Sequence, residues 1–121
     1  MEEAPFIAFR RPRVDVYELA LELVGQVHDI IADAESTRFY LKDRLDRNAT
    51  QIAMALGHVA EEMPSERWRG YRKTLRIVTD CGTLLEVMAR QGCLAIGALA
   101  RARETVAKLQ AEIVPLALWR N

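Results

Sequence analysis

Cysteine is scarce in this chain. Cys81 and Cys93 are the two among 121 residues, and they form neither a C-x-x-C pair nor part of a spaced quartet. That excludes a disulfide framework and a cysteine-built zinc site, and buried free thiols are the expectation. Glycine is thin as well: Gly25, Gly57, Gly70, Gly82, Gly92 and Gly97 stand singly, and none belongs to a strand-loop-helix unit that would cradle a phosphate. Charge of one sign is missing, because seventeen basic and seventeen acidic residues cancel. The molecule therefore lacks the overall field of a dedicated nucleic-acid or anionic-membrane binder, and any such binding must come from a local patch. No run approaches the roughly 20 continuous apolar residues of a membrane span. The first residues lack a basic region leading into an apolar core and a cleavage site, so the expected location is the cytoplasm. Period-two runs of β-branched residues and Asn-Gly or Asp-Gly turns are also missing, which removes the strand alternative.

What is present is helical periodicity. Half of the residues are apolar and 28% are charged, a composition that folds and that fits one domain of ordinary size. Residues 1–13 hold two prolines, Phe6, Ile7, Phe9 and three arginines without sustained period, and read as a tail. From Asp15, a candidate N-cap, the residues Val16, Ala20, Leu23, Val27, Ile30 and Ala34 alternate steps of four and three, the seam of an amphipathic helix over about 15–33. Ser36 or Thr37 can cap a second helix over about 37–62, with Leu41, Leu45, Asn48, Ile52, Leu56, Val59 and Met63 inward and Pro64 as its stop. Ser65 can cap a third over about 65–91. Its seam reads Trp68, Tyr71, Leu75, Val78, Gly82, Leu85 and Ala89, with Gln91-Gly92 as its end and Gly82 admitting a neighbouring backbone. The fourth, over about 93–118, runs Ala95, Leu99, Ala102, Val106, Leu109, Ile113 and Leu116, with Pro115 kinking or ending it.

Short connections between long helices force antiparallel neighbours, so residues 14–119 are expected to form an all-α, up-and-down antiparallel four-helix bundle. Leu45, Leu75 and Leu109 are expected core positions, each costing about 2 to 5 kcal/mol when replaced by Ala. Asn48-Ala49-Thr50 matches a glycosylation acceptor pattern but lies inside a helical stretch and reads as chance.

With these positions placed, the chain resembles the bacterial four-helix-bundle family of 23S rRNA intervening-sequence proteins, which includes the accessory variability protein of diversity-generating retroelements. The resemblance rests on Phe9-Arg10, Val16-Tyr17-Glu18-Leu19-Ala20 and Leu23-Val24 at the start. It continues through Leu41, Arg44-Leu45, Arg47, Ala49, Ile52 and Leu56, and then Trp68, Tyr71, Asp80 and Thr83. Ala53, Ala55 and Gly57-His58-Val59 depart from the family's Pro, Asn and Ala-Glu-Gly. The resemblance implies a homo-oligomeric ring, commonly a pentamer. Its retroelement branch implies binding to nucleic acid and to a reverse transcriptase.

No constellation for chemistry stands out. Neither His28 nor His58 has a Glu three residues before it, as an inward di-metal bundle site requires. A helical Cys81 or Cys93 has no evident base. The expectation is a non-enzymatic protein with no catalytic residues, no metal ligands and no cofactor. Two surfaces are candidates for binding instead. Arg67, Arg69, Arg72, Lys73 and Arg76 give five basic residues in ten without an acid, and Arg44 and Arg47, with Arg10, Arg11 and Arg13, would extend the patch. Such a stripe either contacts phosphates in a salt-sensitive, sequence-independent way, or is a solvated face paired with the acids of the first helix, Asp15, Glu18, Glu22, Asp29 and Asp33, within or between subunits. The second surface is apolar and surplus to a single bundle: Tyr17, Leu21, Val24 and Ile31 beside the first seam, and Val114, Leu118 and Trp119 at the C-terminus. The leading expectation is a homo-oligomeric scaffold or adaptor that binds protein partners. The alternative is a nucleic-acid-binding accessory factor acting with a reverse transcriptase.

Overall fold

The computed structural model describes residues 14–33, 39–92 and 95–118. They form four helices, α1 (Val14–Asp33), α2 (Phe39–Glu61), α3 (Arg67–Arg90) and α4 (Ile96–Leu118), with one 3-10 turn, Pro64–Glu66, leading into α3. At 1.5 Å rise per residue they are about 30 to 36 Å long. The expected tail over 1–13, the Ser36 or Thr37 cap, Cys93 and Trp119 lie outside the described residues. Each helix packs on the next in sequence, and α1 closes the ring of contacts against α4. Among the described residues, no Cα of α1 comes within 8 Å of one of α3, and the same holds for α2 and α4. Gly82 faces Val106 and Thr79 faces Gln110, so α3 and α4 run in opposite directions. The chain is thus the up-and-down four-helix bundle that the periodicity predicts.

The core follows the sequence closely on three helices. Val16, Ala20, Leu23, Val27 and Ile30 of α1 are buried, as are Leu41, Leu45, Ile52, Leu56 and Val59 of α2, and Leu99, Ala102, Val106, Leu109 and Ile113 of α4. On α2 the inward position assigned to Asn48 belongs to Ala49, and Met63 is exposed because the helix has already ended at Glu61. On α3 the buried face is rotated. Tyr71, Val78 and Leu85 are inward as expected, but Thr74, Cys81 and Met88 complete the seam in place of Leu75, Gly82 and Ala89, which sit partly buried on its flank. Thr74 tolerates full burial because its Oγ1 donates to the Gly70 carbonyl at 2.8 Å. Met88 offers far more apolar surface than Ala89.

The helix ends also depart in detail from the expected caps. α1 begins one residue before Asp15, whose carboxylate accepts the Val16 N–H at 2.9 Å within the first turn, where the helix dipole favours an anion. Ser65 is not the cap of α3. It lies inside the 3-10 turn, and Glu66 occupies the cap position without a side-chain bond. Gly92 adopts φ +83°, a left-handed conformation that ends α3 as the Gln91-Gly92 signal predicts. Pro115 does not end α4, which continues to Leu118; the residue is exposed, and so is Ala111, whose carbonyl loses a helical partner there. The close approach expected at Gly82 occurs at Gly70. A Cβ there would collide with Val59 Cγ2, whereas at Gly82 it would meet Val106 Cγ1 at an ordinary 3.4 Å.

Replacing Leu45, Leu85 or Leu109, each fully enclosed, with Ala is expected to cost about 2 to 5 kcal/mol in urea unfolding. Leu75→Ala, on the flank, should cost less than about 2 kcal/mol. A loss at Leu75 equal to that at Leu85 would contradict the rotated seam.

Candidate interaction surface

The basic stretch that opens α3 does not act as one unit. Arg67 turns back onto the end of α2: its Nε donates to the Glu62 carbonyl at 3.1 Å and its Nη2 to the Ala60 carbonyl at 3.3 Å. It thereby places a cation on carbonyls that a helix C-terminus leaves without partners, and it belongs to the fold and not to the exposed face. The other four residues, Arg69, Arg72, Lys73 and Arg76, are exposed. Arg69 pairs with Glu66 at 3.5 Å. The guanidinium carbons of Arg69 and Arg72 each lie 5.3 Å from the centroid of the half-buried Trp68 ring, a distance at which the ring quadrupole attracts the cation.

Arg44 and Arg47 do not extend this stripe. Arg47 is paired with Asp43 at 2.9 Å, and a shallow cleft between α2 and α3 lines both arginines up with Asp46, Asn48, Gln51 and Asp80. The charges in that cleft are mixed. The uniformly basic face is therefore confined to the first half of α3. Arg10, Arg11 and Arg13 lie outside the described residues.

The acids of α1 lie elsewhere. That helix carries Asp15, Glu18, Glu22, Asp29 and Asp33 and no Lys or Arg, and Glu18, Glu22 and Asp29 are exposed. No Cα of α1 comes within 8 Å of one of α3, and the exposed Glu18, Glu22 and Asp29 face away from the basic stretch on the diagonal helix. Arg47–Asp43, Arg69–Glu66 and Arg90–Glu86 each join neighbours on a single helix or turn.

The apolar surplus is smaller on α1 and larger on α4 than the sequence suggested. Tyr17, Val24 and Ile31 pack partly against the core, leaving Leu21, at 41% exposure, as the open member of that stripe. On α4, Val114 and Leu118 are exposed as expected, and so are Ile96, Ala100, Ala107 and Ala111. At 100° per residue these six fall on one outward stripe. The alanines hid it: they carry little hydropathic signal, although their spacing relative to Val114 and Leu118 was available.

Groups suited to chemistry are dispersed. His28 and His58 are both exposed, on different helices. Among the described residues no three His, Cys, Asp or Glu side chains come together as metal ligands would. Burial pushes the Cys81 thiol from its ordinary 9.0 up to about 12, which keeps it in the unreactive thiol form. Among the described residues no helix is long and apolar enough to cross a membrane. Comparison with known proteins finds no matching family model, no matching curated protein and no matching solved structure.

Two measurements check this assignment of groups. Arg67→Ala should lower stability by about 1 to 2 kcal/mol, because it strips two carbonyls of a charged donor, while Arg76→Ala should stay within about 0.5 kcal/mol. Equal effects would return Arg67 to the exposed face. For Cys81, the folded thiol holds its proton up to about 12 while an unfolded thiol releases it from 9.0. Unfolding therefore releases a proton in that window, so stability falls as pH rises through it and is unaffected below. The fall should be steeper than in Cys81→Ala by up to about 1.4 kcal/mol per pH unit, and identical slopes would contradict the burial of the thiol.

Proposed function

We propose that this protein is a non-enzymatic, homo-oligomeric helical scaffold or adaptor that holds protein partners. The observation that supports it best is the outward apolar stripe of α4, Ile96, Ala100, Ala107, Ala111, Val114 and Leu118, lying on a different helix from the exposed Leu21 of α1. Exposed apolar side chains on one side of a helix, here in two groups either side of Arg103 and Glu104, mark a candidate interface, and small side chains let a neighbouring helix approach closely. Patches on different helices favour a heterologous contact, in which one face of a copy meets another face of the next; such contacts close into rings when the rotation allows. Five copies is the number implied by the resemblance to the intervening-sequence family. The acid-base balance of the whole chain also favours protein over nucleic acid as the principal partner.

The alternative, a nucleic-acid-binding accessory factor, is supported by one observation. Arg72, Lys73 and Arg76 are exposed side by side without an acidic partner among the described residues. Light scattering coupled to size exclusion, together with titration of generic DNA and RNA, tests both readings. The scaffold reading predicts a mass that is a multiple of 13.7 kDa and no nucleic-acid binding at low salt. A 13.7 kDa particle at micromolar concentration would refute it. Binding with a steep negative salt slope would support the alternative.

A further inference from the structure

The acids of α1 and the bases of α3 repeat the same spacing. Asp15, Glu18 and Glu22 are separated by three and then four residues, and so are Arg69, Arg72 and Arg76. Steps of three and four place each trio on one side of its helix, and all six belong to exposed positions. They also stand at the same end of the bundle. Alternating directions make α1 and α3 parallel. Asp15 is the second residue of α1 and Arg69 the third of α3, so each trio lies within the first three turns of its helix.

From this juxtaposition we infer that the basic face of α3 is a docking surface for a second copy of this chain, and that its ligand there is the acidic face of that copy's α1. Two copies set side by side, related by a rotation about an axis parallel to the bundle, bring the two trios together at one end of the bundle. Glu18 then meets Arg72 and Glu22 meets Arg76, with Asp15 and Arg69 continuing the row. Within one chain the two helices occupy diagonal corners, with no Cα of one within 8 Å of the other, and their exposed faces point apart, so the match can be used only between chains.

The local geometry prepares both sides. The Trp68 ring, 5.3 Å from the Arg72 guanidinium carbon, helps to hold that cation at the surface, and a guanidinium donates to carboxylates. Arg76 and Glu18 have no ion-pair partner among the described residues; Glu22 has only a long 3.5 Å bond from the Gln26 amide, and Arg69 keeps its local pair with Glu66. Exposed ion pairs contribute little affinity individually. Their role here is to select the face, the direction and the register, while apolar surface such as that around Leu21 supplies adhesion. The inference rests on the self-association proposed above and adds to it which faces meet.

The test uses the full chain and four proteins: wild type, E18R/E22R, R72E/R76E, and the quadruple exchange. Their masses are read by light scattering at low salt, with far-UV spectra as a check on folding. Each double variant should weaken self-association roughly tenfold or more, and the quadruple exchange should restore it, because opposite charges face each other again. Double variants that keep the wild-type mass would overturn this inference and leave association through apolar faces standing. A wild type that stays at 13.7 kDa at every salt concentration would overturn the proposed self-association itself and this inference with it. Loss of binding to a 20-base-pair duplex in R72E/R76E alone, with masses unchanged, would assign the face to nucleic acid and overturn the pairing. If a double variant loses helicity, the wild type decides the matter. Its association should weaken roughly tenfold between about 50 mM and about 500 mM NaCl as the charges are screened, and an unchanged dissociation constant would contradict the inference.

Discussion

Short connections between four long helices constrain everything else in this molecule. Five residues separate each helix from the next, at most about 20 Å of extended chain, too short to run back along a helix of about 30 Å or more. Directions must therefore alternate, and because each helix packs on its sequence neighbour, the first and third helices stand diagonally apart and parallel. That placement gives the charges their meaning. A first helix with acids and no Lys or Arg, and a third helix opening with bases and no acid, would neutralise one another if they were adjacent. Kept on opposite sides, they give a chain of zero net charge two faces of opposite sign.

The hydrophobic seams of the first, second and fourth helices were legible in the sequence because their inward positions are aliphatic and their flanks are charged. The third helix was not fully legible. At Thr74 the more apolar Leu75 stands one residue further on, so hydropathy points to the wrong side of the seam there, and a seam started from Leu75 carries the misreading on to Gly82 and Ala89 although Cys81 and Met88 are the buried residues. Thr74 can be inward because its hydroxyl is satisfied by the backbone one turn earlier, an arrangement that composition does not reveal. The exchange between glycines has the same origin. Close approach depends on what stands opposite, and Val59 stands opposite Gly70.

The basic run illustrates how a charge cluster separates once it is placed in three dimensions. The residues were readable as a group, but their division was not. Arg67 follows the end of one helix at the distance needed to reach back to its carbonyls, and it becomes part of the fold. Arg69 and Arg72 stand one and four residues beyond Trp68, and each cation lies 5.3 Å from the centre of its ring. Arg44 and Arg47 fall among acids on a different helix. What is left for a partner is a narrow strip whose spacing is matched by acids on the far side of the same bundle.

The claim that these two faces meet between chains is tested most directly by a cross-link at the end of the row, where the central pairs are left intact. A chain carrying Asp15→Cys is mixed with a chain carrying Arg69→Cys, both also Cys93→Ser, and oxidised gently; Cys81 is fully buried and does not compete. The account predicts a disulfide joining one chain of each kind, formed at low salt and suppressed at high salt. Absence of that cross-link under conditions where the chains associate would contradict it.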